Sequence, residues 1–321
     1  MKKVLVIAAC FVASAAGAAY GYAGKWGSSG TGDGQFSFPS EADVTPSGNV
    51  YVSDVGNHRI QYFTSTGSFL GKWGSRGSGN GQFLGPRGVA GAPGSGYVYV
   101  ADTSNYRIQY FTSTGSFLGK WGSRGSGNGQ FNFPESVAVT ANGAYVYVGD
   151  TDRIQYFTSS GSFLGKWGSY GWGNGQFRAI TGVAVAPASG NVYVVDAGTF
   201  RVQYFTSAGS FLGKWGYYGS RDGEFISPYG IAVAPASGYV YVADTGNHRI
   251  QYFTSSGSFL GKWGSSGSGN GQFNYPQGIA FAPNGAYVYV SDTQNHRVQY
   301  FYDRYVGVVP ASLGRVKALF R

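Results

Sequence analysis

The word Gly-Lys-Trp-Gly returns six times in this chain, with its Trp at 26, 73, 121, 167, 215 and 263. The intervals are 47, 48, 46, 48 and 48 residues. Such a period restricts the fold to an array whose units bury their apolar faces against one another. Two markers keep step with it. An Asp closes an apolar Val-Tyr-Val-type segment at 54, 102, 150, 196, 244 and 292, and an Arg opens the next segment at 59, 107, 153, 201, 249 and 297.

Within one unit the period is that of strands. Residues 88–92 form a small apolar strand, 93–96 a turn, 97–101 a Val- and Tyr-rich strand, 102–106 a loop, 107–111 a third strand, 112–115 a hairpin turn and 117–121 a fourth strand. Four strands in about 47 residues is the unit of a propeller blade. No repeat sustains an apolar period of 3.6, which excludes helical repeats. Gly (55 of 321) and aromatic residues (17%) supply turns and strands, and a charged fraction of 12% argues against disorder. First strands rich in Gly and Ala suit a crowded axis. The Lys at 25, 72, 120, 166, 214 and 262 suits an outermost edge strand.

The ends of the array imply closure. It begins with a lone fourth strand (20–26) and ends with a third strand (297–301) that lacks one. The expected fold is therefore all-β: a six-bladed β-propeller of four-stranded antiparallel blades, closed by the N-terminal strand completing the last blade.

Gly-Asn-Gly-Gln-Phe, Pro-x-Gly-Ile-Ala and Val-Tyr-Val-x-Asp-Thr-x-Asn-His-Arg-Ile-Gln-Tyr-Phe (240–253) together resemble the NHL repeat, over residues 20–301. The resemblance implies a six-bladed propeller. It implies less about activity, because NHL relatives include protein-binding modules, RNA-binding modules and a metal-dependent lyase.

A feature present in every blade belongs first to blade architecture, and the six Asp–Arg pairs are read so. His58, His248 and His296 share one loop position away from the axis, so they do not converge as metal ligands. The glycine loops lack the ending of a phosphate loop, and no Gly-x-Ser-x-Gly elbow with plausible partners is present. No catalytic residue, metal site or cofactor is assigned. The repeats serve as an internal alignment, and their exceptions are the candidates. Tyr170, Trp172, Tyr217, Tyr218 and Arg221 lie on two consecutive crossings whose counterparts are plain Gly-Ser loops. Aromatic and Arg enrichment marks binding surfaces. The position before the first strand reads Ser40, Arg87, Glu135, Thr181, Tyr229 and Gln277. Glu41 stands where most repeats have Gly, and Asp43 where the others have Ala. Glu41, Asp43, Arg87, Glu135 and Tyr229 are therefore placed at a channel mouth and its lining.

The first residues read as an export signal: Lys2 and Lys3, an apolar run over 4–13, then Gly17 and Ala19 as a small-x-small cleavage pair. The run is shorter than the roughly 20 residues a membrane span needs. The sole cysteine, Cys10, falls in that leader, so the mature chain has none to pair. The rival reading is a lipid anchor at Cys10, against which stands the shortness of the run before it. Of the net +9, two charges lie at Lys2 and Lys3 and three in a basic tail (302–321), which leaves +4 spread over the repeats. That is not the footprint of a nucleic-acid binder. The expectation is a secreted, periplasmic or cell-surface propeller binding a protein, peptide or glycan through its loop face. The alternatives are a lyase- or hydrolase-like enzyme at the channel mouth and a structural cell-surface assembly protein.

Overall fold

The computed structural model describes residues 20–303. The segment read as an export signal, with Cys10, and all but the first two residues of the basic tail lie outside them. Six four-stranded antiparallel sheets form the described chain. Blade 1 comprises Pro39–Val44, Val50–Asp54, Arg59–Phe63 and Phe69–Trp73. Blades 2 to 5 span 86–121, 134–167, 180–215 and 231–263 in the same order. Innermost strands contact one another in a closed ring, blade 1 against blade 2 and round to blade 6 against blade 1.

Blade 6 is assembled from both ends of the described chain. Pro276–Phe281, Tyr287–Asp292 and Arg297–Asp303 are joined by Tyr20–Trp26 as the outer strand. The pairing runs from Tyr20 opposite Asp303 to Trp26 opposite Val298, with a bulge between Tyr22 and Gly24. The third strand thus continues two residues beyond the sequence estimate, through Tyr302 and Asp303.

The core lies between blades and is aromatic. Each second strand buries one Tyr, at 51, 99, 147, 193, 241 and 289. It stacks on a Tyr of its own third strand, with ring centroids 5.2 to 5.9 Å apart. The Trp of the fourth strand meets it edge-on. A buried phenol needs a hydrogen-bond partner. In five blades the hydroxyl donates to a Ser carbonyl in the third-to-fourth-strand turn of the following blade, as Tyr51 does to Ser113 at 2.9 Å. Blade 6 has no such turn, because its outer strand arrives from the N-terminal end. The Tyr20 hydroxyl takes that place and bonds to Tyr241, while the Tyr20 ring stacks on Trp263 at 4.5 Å. In the other blades a turn glycine with φ near +90° fills this spot, as Gly67 does against Trp26.

Candidate functional site

The Asp–Arg pairs are built into every blade. The Asp carboxylates are buried and lie 2.6 to 3.0 Å from Arg Nε in five blades. The rest of each guanidinium ties down the crossing from the previous blade. Arg107 donates to the carbonyls of Ser78, Gly79 and Gln82 at 2.7 to 2.9 Å. Blade 4 differs. Thr199 replaces the loop Asn, its hydroxyl donates to Asp196 Oδ2 at 2.5 Å, and Arg201 Nε stands back at 3.6 Å. Desolvation lowers the Arg201 pKa, against the pull of Asp196.

The crossings and the second-to-third-strand loops meet on one face. There the loop residue before each third strand adopts a left-handed conformation, His58, Tyr106, Phe200, His248 and His296, and in the shortened loop of blade 3 it is Thr151, two before the strand. Three of these face an aromatic that is itself left-handed, giving the pairs His296–Phe38, Tyr106–Phe133 and His248–Tyr275 at 5.0, 5.3 and 4.6 Å. The three histidines accept backbone N–H groups at Nδ1, from Gly85, Tyr275 and Phe38. Among the described residues no three His, Cys, Asp or Glu side chains are grouped to hold a metal ion.

Blades 3 to 5 carry the aromatics singled out in the sequence. Tyr170, Trp172, Tyr217 and Tyr218 are 60 to 65% exposed. The structure adds a residue that links the first two. The Arg178 guanidinium lies 5.1 Å from the Tyr170 ring centre and 4.8 Å from that of Trp172, and donates to the Tyr170 hydroxyl. Arg178 packs against Gly198, where an added Cβ would come within 2.6 Å of its own Cβ. Two residues on, Phe200 meets Tyr218 edge-on at 5.0 Å. The loop 197–200 therefore joins the two crossings into one strip: Trp172, Arg178, Tyr170, Phe200, Tyr218. Arg221 is held by its backbone, its N–H donating to Glu224 and its carbonyl accepting from Arg249. Arg178 had a sequence signal. It follows the buried Phe177 where the other repeats carry Ser37, Leu84, Asn132, Ile226 and Asn274.

The five channel residues separate into two groups. Arg87, Glu135 and Tyr229, from blades 2, 3 and 5, meet at the loop-face mouth. Arg87 donates to the Tyr229 hydroxyl at 2.7 Å, that hydroxyl donates to Glu135 at 3.0 Å, and Arg87 Nε is 3.9 Å from Glu135. Burial and the Glu135 charge push the Tyr229 pKa far up, with Arg87 opposing. Glu41 lies deeper. Its Oε1 accepts from Ser136 Oγ at 2.9 Å, and its Oε2 is buried and makes no hydrogen bond among the described residues. Desolvation raises the Glu41 pKa well above the carboxylate range, Ser136 opposing and Asp43 adding to the rise. Asp43 lines the other half of the channel, a cavity of about 360 Å³ that extends to the turns at Pro46, Pro93, Pro187, Pro235 and Pro283. Its Oδ2 accepts the Gly91 N–H at 2.7 Å, and burial raises its pKa to about 6.

Fold and loop face together define a closed six-bladed propeller whose blades are alike and whose crossings are not. The NHL repeat matches residues 36–63, 225–253 and 273–301, the first three strands of blades 1, 5 and 6, so three of the six blades of this propeller match that repeat. Among curated protein sequences, none matches it. Solved structures share the fold at low identity. Hydrazine synthase of Kuenenia stuttgartiensis matches with a TM-score of 0.60 and 11% identity over 84% of this chain and 96% of that one. A gluconolactonase of Xanthomonas campestris matches at 0.62 and 13%, over 84% and 87%. Virginiamycin B lyase of Staphylococcus aureus matches at 0.55 and 13%, over 81% and 79%. Among the described residues no helix is long and apolar enough to cross a membrane.

Proposed function

We propose that the protein is an exported binding and scaffolding module that recognises a protein, peptide or glycan through its loop face, at the strip of Trp172, Arg178, Tyr170, Phe200 and Tyr218. The observation that carries this reading is the exposure of aromatic rings that the blade does not need. Equivalent crossings have Ser or Arg at the Tyr170 and Tyr218 positions, yet keep the same bridge to the buried Phe. Flat rings offer contact area at low entropy cost, and a guanidinium already seated between two of them adds directed donors.

Two of the solved structures are named as a lyase and a gluconolactonase, and a comparable reaction here would be sought at the loop-face mouth. The groups there bond to one another as Arg87–Tyr229–Glu135, which favours the binding reading.

The test is a glycan and peptide array followed by calorimetry on the best ligand. Trp172→Ser with Tyr218→Ser is expected to leave the circular dichroism spectrum unchanged and to weaken binding by about 2 kcal/mol or more. Full affinity in the double variant would move the site off this strip.

A further inference from the structure

The half of the channel away from the loop face has a composition that the blades do not require. Its walls are Val, Ala, Ile and Pro, together with Gly91 and Phe281, and the described residues that line it include two charged side chains, Glu41 and Asp43. Both come from blade 1. Both are exceptions to the repeat: Asp43 aligns with Ala90, Ala138, Ala184, Ala232 and Ala280, and Glu41 with Gly88, Ser136, Gly182, Gly230 and Gly278. Five blades show that Ala serves the architecture at the first position. An acid there costs desolvation, and among the described residues no cation pairs with it: Arg87, on the neighbouring blade, is engaged at the other mouth with Tyr229 and Glu135. The second acid keeps one buried oxygen without a hydrogen bond. A concave, mostly apolar pocket with a few converging polar groups is the form of a small-molecule site.

From this geometry we infer that the apolar funnel is a second binding site, distinct from the loop face, for a small organic amine: an ammonium group held at Asp43 with a hydrocarbon body against the Val and Pro walls. Charge complementarity fixes the class. Among the described residues the lining holds acids and no Lys, Arg or His, so a carboxylate or phosphate of the same size is repelled. The volume of about 360 Å³ sits at the lower end of the range for ligand pockets and suits a single short chain or ring. Asp43 accepts the Gly91 N–H on Oδ2, and its carboxylate has lone pairs enough to take a ligand N–H beside the Gly91 and Val44 amides.

The experiment is isothermal titration at pH 7.5 with hexylamine, hexanol and hexanoate, each up to about 10 mM. Hexylamine is expected to bind about tenfold or more tightly than hexanol, and hexanoate not at all. Asp43→Ala, the residue the other blades use, is expected to bring hexylamine down to the affinity of hexanol. Asp43→Asn provides the same reading with the Gly91 bond kept. Trp172→Ser is expected to bind hexylamine as the parent does, which separates this site from the loop face. Equal binding of amine and alcohol, undiminished amine binding in both Asp43 variants, or no amine binding would overturn the proposal.

Discussion

At the scale of single residues, the exceptions to the repeat are where stability and composition part. Asp43 holds its proton more tightly in the folded chain, at about 6 against an ordinary 3.8, because burial disfavours the charge more than the Gly91 and Val44 amides favour it. The folded state therefore binds more protons than the unfolded one between those values, and stability falls as pH rises through that window. Two units correspond to at most about 3 kcal/mol, reduced by the Gly91 bond lost on substitution. Asp43→Ala is expected to raise the unfolding midpoint at pH 7.5 and to lose that advantage near pH 4. Calorimetry at both values checks it, and a difference from the parent that does not change with pH would contradict it. Glu41 shifts in the same direction and deepens the trend.

At the scale of elements, the strand Tyr20–Trp26 closes the ring. It contributes the six-pair ladder to the last blade, the Tyr20–Trp26 aromatics, and the hydroxyl that satisfies Tyr241. Removing it opens the edge of blade 6 and uncovers Trp263 and Phe301, which are buried in the closed ring. Deletion of residues 20–26 is expected to lower the thermal midpoint by more than any single substitution discussed above, since several buried aromatic contacts are lost together. An unchanged midpoint would show that blades 1 to 5 hold the ring unaided. The crossings are elements of another kind. Their shape comes from Arg side chains of the following blade bonding to their carbonyls, so their outward side chains are free to vary, and in blades 3 to 5 they do.

At the scale of the whole molecule, the closed ring sets positions from distant blades around one axis, and the loop-face mouth is fastened by side chains from three of them. Tyr229→Phe removes the hydroxyl shared by Arg87 and Glu135, which then face each other at 3.9 Å. The expected cost is about 1.5 kcal/mol, the lower end of the range for hydrogen bonds to charged groups, because Arg87 and Glu135 are partly exposed. Urea unfolding with an unchanged slope measures it. No change in midpoint would mean that the mouth is not a structural tie. The number of blades, the strand order within each and the pairing of the N-terminal strand with the last blade were all legible in the sequence. They rest on local alternation and spacing written six times over, and a strand's period and a turn's residues act over a few positions. The tertiary structure alone decided which exceptions meet. Arg87 and Tyr229 are 142 residues apart, and Tyr229 and Glu135 are 94 apart. Equal phase in a repeat says that such residues share a level of the ring, but not that their side chains reach across it. The same limit hid the seat of Arg178 between Tyr170 and Trp172. It also hid the parting of Asp43 from the mouth, because a strand carries its residues through the channel at about 3.3 Å each, so three positions are enough to change the end they serve.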